Sequence, residues 1–198
     1  KKRYNDYPTF FKTLFEERVQ KLSIDGGFTC PNRDGSKGVG GCSFCNNESF
    51  NPDYCRAVRG ITEQIDEGIR FFARKYKGQR YLAYFQAYSN TYAPLDVLKL
   101  RYEEALAHPM ISGLVIGTRP DVVSEEVLDY LEELARRYYV CVEYGVESVN
   151  DTVLRQVNRG HDFAVAEQAI RATAGRGITI GAHLIFGLPG ESRESMLE

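Results

Sequence analysis

Five short runs rich in β-branched and aromatic residues alternate with segments whose apolar residues recur every three or four positions, and this alternation restricts the fold more than any other feature of the chain. The runs are RVQKLSID at 18–25, RYLAYFQ at 80–86, GLVIG at 113–117, YVCVEY at 139–144 and ITIGAHLIF at 178–186. Between them, helices are predicted from Ile61, Ile65, Ile69, Phe72 and Tyr76, from Leu95, Leu98, Tyr102 and Leu106, and from Leu128, Leu131 and Leu134. Two more follow the fourth run, one with Val153, Leu154 and Val157 and one from Asp162 to about Arg176, which Gly175 and Gly177 stop. A short amphipathic helix carrying Phe10, Phe11, Leu14 and Phe15 leads into the first strand within residues 1–18. Parallel neighbours need a crossover, and a helix supplies it, so the class is α/β with a parallel sheet and at least five βα units. The pattern fits a TIM-like barrel or an open doubly wound sheet, and in either case ligands bind beyond the C-terminal ends of the strands.

The unusual residues fall on those ends. After the first strand comes a loop over residues 26–60 that holds four of the five cysteines, with Cys30, Cys42 and Cys45 spaced C-x11-C-x2-C and Cys55 further on. Glycines at 26, 27, 35, 38, 40 and 41 let its backbone reach angles closed to other residues. The AYSNT run at 87–91, TRPD at 118–121, the turn expected over Gly145 to Asn150 and GLPGE at 187–191 follow the other strands. Thiolates are soft ligands that suit zinc or iron–sulfur clusters. Three cysteines leave one iron of a cluster open, whereas Cys55 as a fourth ligand would close a structural zinc knot serving an RNA- or protein-binding module. The cysteines alone leave both readings standing. The rim position of the loop, in a domain large enough to stand without staples, favours the cluster.

A chain of 198 residues with 43% apolar and 26% charged residues is that of an ordinary globular protein, not a disordered one. The formal charge of −2 advertises no nucleic-acid surface, and beyond Lys1, Lys2 and Arg3 there is no basic stripe. No apolar run approaches membrane-spanning length and no signal-peptide pattern opens the sequence, so a cytoplasmic location is expected, where clustered cysteines are metal ligands or catalytic groups more often than disulfides. The chain does not start with Met, and residues 191–198 read as the opening of a helix, so continuation beyond Glu198 is expected.

In this order, CPNRDG, GCSFC, FQAYSNTYAP, GTRPD, VEYGVES, NRGHD and HLIFGLPGE resemble the radical S-adenosylmethionine superfamily over nearly the whole chain. The usual signature there is C-x3-C-x2-C. The longer first gap resembles the YhcC-like branch, and several segments are also similar to the elongator catalytic subunit and the oxygen-independent coproporphyrinogen oxidases. The resemblance implies a partial (β/α)6 barrel forming one core domain over 1–198, and an oxidoreductase-type enzyme whose substrate is unread. It implies that Cys30, Cys42 and Cys45 hold a 4Fe-4S cluster whose fourth iron binds S-adenosylmethionine, reductively cleaved to a 5′-deoxyadenosyl radical. A small electron donor, flavodoxin or ferredoxin, is the implied partner. By the same resemblance Phe44, Ile185 and Gly187 lie by the adenine, Glu143 reaches the ribose, and Arg159 pairs with the methionyl carboxylate. Where the family places Gly-Gly-Glu for the methionine amino group this chain has QAYSN, and Gln86 and Ser89 stand in. The elongator likeness also raises tRNA modification, to which the near-neutral charge adds nothing.

Other residues have structural readings beside functional ones. Cys141 reads as a buried small side chain and Cys55 as a spare structural thiol. His183 faces the barrel interior if Leu184 and Phe186 face the helices, and reads equally as a substrate contact or a core histidine. His161 braces a loop, His108 complements a helix end, and Arg119 binds an anion or pairs with Asp121. Tyrosines 81, 84, 88 and 92 are read as strand aromatics rather than base-stacking platforms.

Overall fold

The computed structural model describes residues 3–46, 51–74 and 79–197. Tyr76, Lys1, Lys2 and Glu198 lie outside them. In chain order the elements are α1 (Tyr7–Leu14), β1 (Arg18–Ile24), α2 (Ile61–Ala73), β2 (Gln79–Phe85), α3 (Leu95–Leu106), β3 (Ile111–Thr118), α4 (Glu125–Ala135), β4 (Tyr139–Glu147), α5 (Asp151–Gln156), α6 (Phe163–Thr173) and β5 (Thr179–Leu184), with a single 3-10 turn at Pro120–Val122. Among the described residues, four of the six helix starts are fixed by side-chain caps: Asp6 accepts from Thr9 N, Ser124 from Val127 N, Asn150 from Val153 N and Asp162 from Val165 N, whereas α2 and α3 have none. Each cap satisfies an amide that the first helical turn leaves open.

All five strands are parallel and lie side by side in sequence order. A doubly wound sheet reverses direction at a switch point. This order has no reversal, which puts the crossover helices on one face and decides for the barrel-type arrangement. The outer face buries Leu22 and Ile24 of β1, Ala83 and Phe85 of β2, Leu114 and Ile116 of β3 and Val140, Val142 and Tyr144 of β4 against residues of α2, α3, α4 and α6. Each Leu, Ile, Val or Phe among them contributes about 1.5–3 kcal/mol on burial.

The inner face is divided. Its lower part, Val19, Leu82, Val115 and Cys141, is covered by α1 through Phe10 and Phe11, with Phe15 alongside. Phe11 meets Tyr139 edge-on at 5.7 Å between ring centroids. Cys141 is therefore the buried apolar thiol expected. Above this plug the inner face is polar, and it opens towards the strand ends.

Two expected boundaries are corrected. The fourth strand does not turn at Gly145 but continues to Glu147, pairing with β5 through a register shift between Gly145 and Glu147. Gly145 is there for room, since a Cβ would lie 2.4 Å from Glu147 Oε1 and 2.8 Å from Arg159 Nη2. The fifth strand ends at Leu184 rather than 186, although Ile185 N still donates to Glu147 O at 2.9 Å. Residues 193–197 form turns that open as a helix would: Ser192 N donates to Ser195 Oγ, Ser195 N donates to Ser192 Oγ in a reciprocal cap, and Met196 N donates to Ser192 O at 3.2 Å.

Candidate functional site

The loop after β1 folds back through successive local turns. Cys30 O accepts from Arg33 N and Asp34 N, Pro31 O accepts from Lys37 N and Gly38 N, and Gly41 N returns to Asn32 O at 2.8 Å. Gly40 and Gly41, both left-handed at φ +81° and +80°, turn the chain so that Cys42 arrives beside Asn32. Cys45 N then donates to Cys42 O, closing the second tight turn.

A second segment clamps this loop from the far end of the chain. Asn158 Nδ2 donates to Gly41 O at 2.9 Å, Asn32 Nδ2 donates to Asn158 O, and Ser43 N donates to Val157 O at 3.0 Å. Asn158 itself is left-handed at φ 55°. The other left-handed non-glycines, Tyr88 and Glu147, follow β2 and end β4 on the same rim. Strained backbone concentrated on one rim marks a site that the surrounding fold holds against its local preference.

Positive charge surrounds the three loop thiols. Arg33 Nη2 reaches Cys45 Sγ at 3.5 Å, and that hydrogen bond, with the charges of Cys45 and Cys30, raises the arginine's pKa. Cys42 Sγ accepts from Asn32 Nδ2 at 3.6 Å and from Arg159 Nη1 at 3.7 Å. Arg119 experiences both Cys30 and Cys42. Cys55 is elsewhere: it is 1% exposed beside Asp25 and Tyr54, and burial with the Asp25 charge pushes its thiol up to about 12. It packs as the structural thiol expected. Among the described residues no three His, Cys, Asp or Glu side chains gather as a single metal ion requires.

Arg119 settles its own alternative by pairing with Asp121, through Nε at 2.8 Å and Nη2 at 2.9 Å. Lys37, from the cysteine loop, donates to the same carboxylate at 2.6 Å and ties the loop to the turn that follows β3. Burial alone would raise the Asp121 pKa, but Arg119 and Lys37 overcome it and hold it at about 2. A depressed carboxyl contributes stability that is complete above its unfolded value near 3.8 and is lost as pH falls towards 2. Asp121→Asn is therefore expected to lower the urea midpoint at pH 6, and to narrow the fall in midpoint between pH 6 and pH 3 relative to the native protein. An unchanged fall would remove Asp121 from the acid response.

Several polar atoms on this rim have no partner among the described residues: Ser89 Oγ, Asn90 Oδ1, Arg119 Nη1, Arg159 Nε, Asn32 Oδ1 and His161 Nε2. Buried groups left unpaired cost free energy, and a ligand making those bonds recovers it. Ser89 is 1% exposed, and its N donates to Thr29 O beside the loop. Gln86 is half-buried, with its Oε1 3.5 Å from Ser23 Oγ. Phe44 and Ile185 pack on Val153, Val157 and Leu188, forming an apolar shelf beside Cys42 and Cys45. Gly187 is left-handed with open space where a Cβ would stand, and Glu191 locks the turn by accepting from Leu188 N and Ser148 Oγ. Three soft thiolate donors, flanking cations, an apolar shelf and unmet hydrogen bonds suit an iron–sulfur cluster with a polar, aromatic-bearing cofactor.

Glu143 lies lower and is already engaged. Its Oε1 accepts from Lys21 Nζ and from Tyr7 OH at 3.3 Å, its Oε2 is 3.1 Å from His183 Nε2, and Tyr84 also hydrogen-bonds to it. It reaches a ribose only by exchanging one of these partners. Glu147, which the sequence did not single out, sits higher on the same strand with its Oε1 3.6 Å from Arg159 Nη2. Burial raises its pKa while Arg159 opposes the rise. The clamp residues Asn32 and Asn158 were also missed, since their roles rest on contacts more than a hundred residues apart.

Sequentially ordered parallel strands with a cation-flanked cysteine loop on the C-terminal rim define a partial-barrel scaffold. The chain belongs to the Radical SAM superfamily, whose sequence model matches residues 30–198. Enzymes of that family use a 4Fe-4S cluster and S-adenosylmethionine. The chain is 43% identical over 185 residues to protein YhcC of Escherichia coli (strain K12), covering 93% of this chain and 59% of that protein. It is 37% identical over 197 residues to the protein YtqA of Bacillus subtilis (strain 168), covering 100% of this chain and 61% of that one. Thus it spans about three fifths of the length of these curated relatives. In fold it is similar to the archaeal Elp3 of Methanocaldococcus infernus, with TM-score 0.62 and 18% identity over 90% of this chain and 40% of that one. Among the described residues no helix is long and apolar enough to cross a membrane.

Proposed function

We propose that this chain is the catalytic core of a radical S-adenosylmethionine enzyme in which Cys30, Cys42 and Cys45 hold the 4Fe-4S cluster. The observation that carries this reading is the convergence on the three thiols of Arg33, Arg119, Asn32 and Arg159, drawn from three separate segments of the chain. When bound, the cluster and S-adenosylmethionine supply one-electron reductive cleavage of a sulfonium C–S bond and, from it, a 5′-deoxyadenosyl radical able to take a hydrogen atom from substrate. The chain's own residues bind and orient. Phe44 and Ile185, with Leu188, offer adenine an apolar face, and the open backbone at Gly187 leaves room at its edge. Ser89, buried and unpaired, and Gln86 accept from the methionine amino group. Arg159, whose Nε has no partner among the described residues, would hold the carboxylate through its planar fork, a geometry lysine lacks. Glu147 is better placed than Glu143 to accept from ribose hydroxyls, because Glu143 already has its donors.

The reading also requires a small electron donor, for which a flavodoxin or ferredoxin is proposed. The net charge of −2 gives no ground for choosing RNA as the substrate. Anaerobic reconstitution with iron and sulfide, followed by dithionite and S-adenosylmethionine, is expected to yield 5′-deoxyadenosine from the native protein and none from Cys42→Ala. Stoichiometric zinc without iron, with Cys55 required for its binding, would overturn the reading in favour of a structural knot.

A further inference from the structure

Below the cysteine rim and above the α1 plug, the inner face carries a second chemical constellation that cofactor binding does not use. Lys21 of β1, Tyr84 of β2, Glu143 of β4, His183 of β5 and Tyr7 of α1 meet there. The carboxylate is nearly dry and the imidazole is wet, with side-chain exposures of 6% for Glu143 and 55% for His183. His183 is thus neither a core histidine nor a loose surface one. Gly181 leaves space for this pair, since a Cβ there would lie 2.9 Å from Glu143 Cγ.

We propose that His183 and Glu143 form a proton-transfer dyad on the inner wall, serving a substrate that presents a hydroxyl, ammonium or acidic C–H group to His183 Nδ1. Nε2 faces the carboxylate at 3.1 Å, so its partner assigns the ring proton to that nitrogen. Nδ1 has no hydrogen-bond partner among the described residues, and the side chain that carries it is 55% exposed. A carboxylate that fixes the tautomer and an outer nitrogen left with its lone pair are the components of a general base. Lys21 completes the device. Its ammonium is hydrogen-bonded to Glu143 and lies 4.4 Å from the ring centroids of both Tyr7 and Tyr84, so the carboxylate is fixed from behind. Burial alone would raise the Glu143 pKa, yet His183 and Lys21 hold it at about 2, and it remains ionised at neutral pH.

The step is redox-neutral. The substrate X–H bond breaks, its electron pair stays on X, the proton joins Nδ1, and the imidazolium is stabilised by Glu143 until the proton is returned. The groups facing His183 are Glu143 and Glu147 of β4, Lys21 of β1, and the Tyr7 and Tyr84 hydroxyls beyond Glu143. The Glu143 hydrogen bond raises the imidazole pKa above its usual 6.5, burial and Lys21 oppose the rise, and Glu147 adds to it. This inference goes beyond the cofactor reading and does not depend on it, because no cysteine takes part.

The test uses 5-nitrobenzisoxazole, a carbon acid whose deprotonation breaks its N–O bond and releases a coloured phenolate. The protein is expected to accelerate this elimination, with a rate that climbs with pH through a midpoint above 6.5. His183→Asn is expected to lower the rate roughly tenfold or more. Glu143→Gln, which keeps size and shape, is expected to move the midpoint down. Proton NMR titration of the His183 ring in the native and Glu143→Gln proteins reads the same shift without any probe. Absence of acceleration, a rate that survives His183→Asn, or a midpoint unmoved by Glu143→Gln would each overturn the dyad. None of these outcomes depends on iron loading, so failure here is distinguishable from failure of the cofactor reading.

Discussion

Arg159→Leu is expected to reduce S-adenosylmethionine affinity and retained iron by about 10- to 100-fold while leaving the protein folded. The guanidinium joins three parts of the site: Nη2 donates to Gly145 O, Nη1 lies 3.7 Å from Cys42 Sγ, and Nη2 lies 3.6 Å from Glu147 Oε1. Leucine makes none of these bonds, and it removes the largest of the charges that oppose burial at Glu147, leaving only His183 and Arg119, so the Glu147 pKa should rise further. Arg159→Lys preserves the charge but offers one point where the fork offers several, and an intermediate loss is expected. Equilibrium dialysis of the reconstituted protein with S-adenosylmethionine measures the effect. Equal affinities for native, Lys and Leu proteins would remove Arg159 from the binding site.

The sequence made the element order legible because hydrophobic period and capping residues are local. Asp162 starts the helix expected of it, and the three spaced cysteines stand on the rim where the strand order sends them. Strand alternation left the choice of barrel over open sheet undecided, since it is the same in both and pairing order is a tertiary fact; the family resemblance supplied the barrel, and the strand order agrees with it. Gly145 misled for a physical reason: a glycine reads as a turn, but here it makes room for Glu147 and Arg159 inside a strand. Glu143 was visible as a charged residue in a buried strand, whereas its donor Lys21 lies 122 positions away and no local pattern couples them. Cys55 shows the limit of spacing arguments, for a cysteine ten positions after Cys45 turned inward beside Tyr54 instead of joining the loop.

The largest effect on stability is expected at Gly113. An ideal Cβ there would stand 2.0 Å from the Tyr139 carbonyl oxygen and 2.8 Å from its carbon, a collision with backbone rather than with the end of a flexible side chain. Neither strand can yield easily, because Gly113 pairs with Tyr139 at the start of a ladder running to Thr118 and Tyr144. Gly113→Val is therefore expected to cost roughly 3 kcal/mol, at the upper end of ordinary overpacking. For a chain of this length that amounts to a fall in Tm of about 6–12 °C. The same ladder places Gly117 opposite Glu143 and Thr118 opposite Tyr144, so the β3–β4 register also sets the height of the Glu143 carboxylate and of Arg119 against the loop. If the substituted strands part locally, the His183 titration should move with stability. If the whole ladder melts as a unit, the titration stays native up to the lowered transition. Urea unfolding with NMR observation of His183 separates these outcomes, and a cost below about 1 kcal/mol would show that β3 and β4 relax apart more readily than their packing implies.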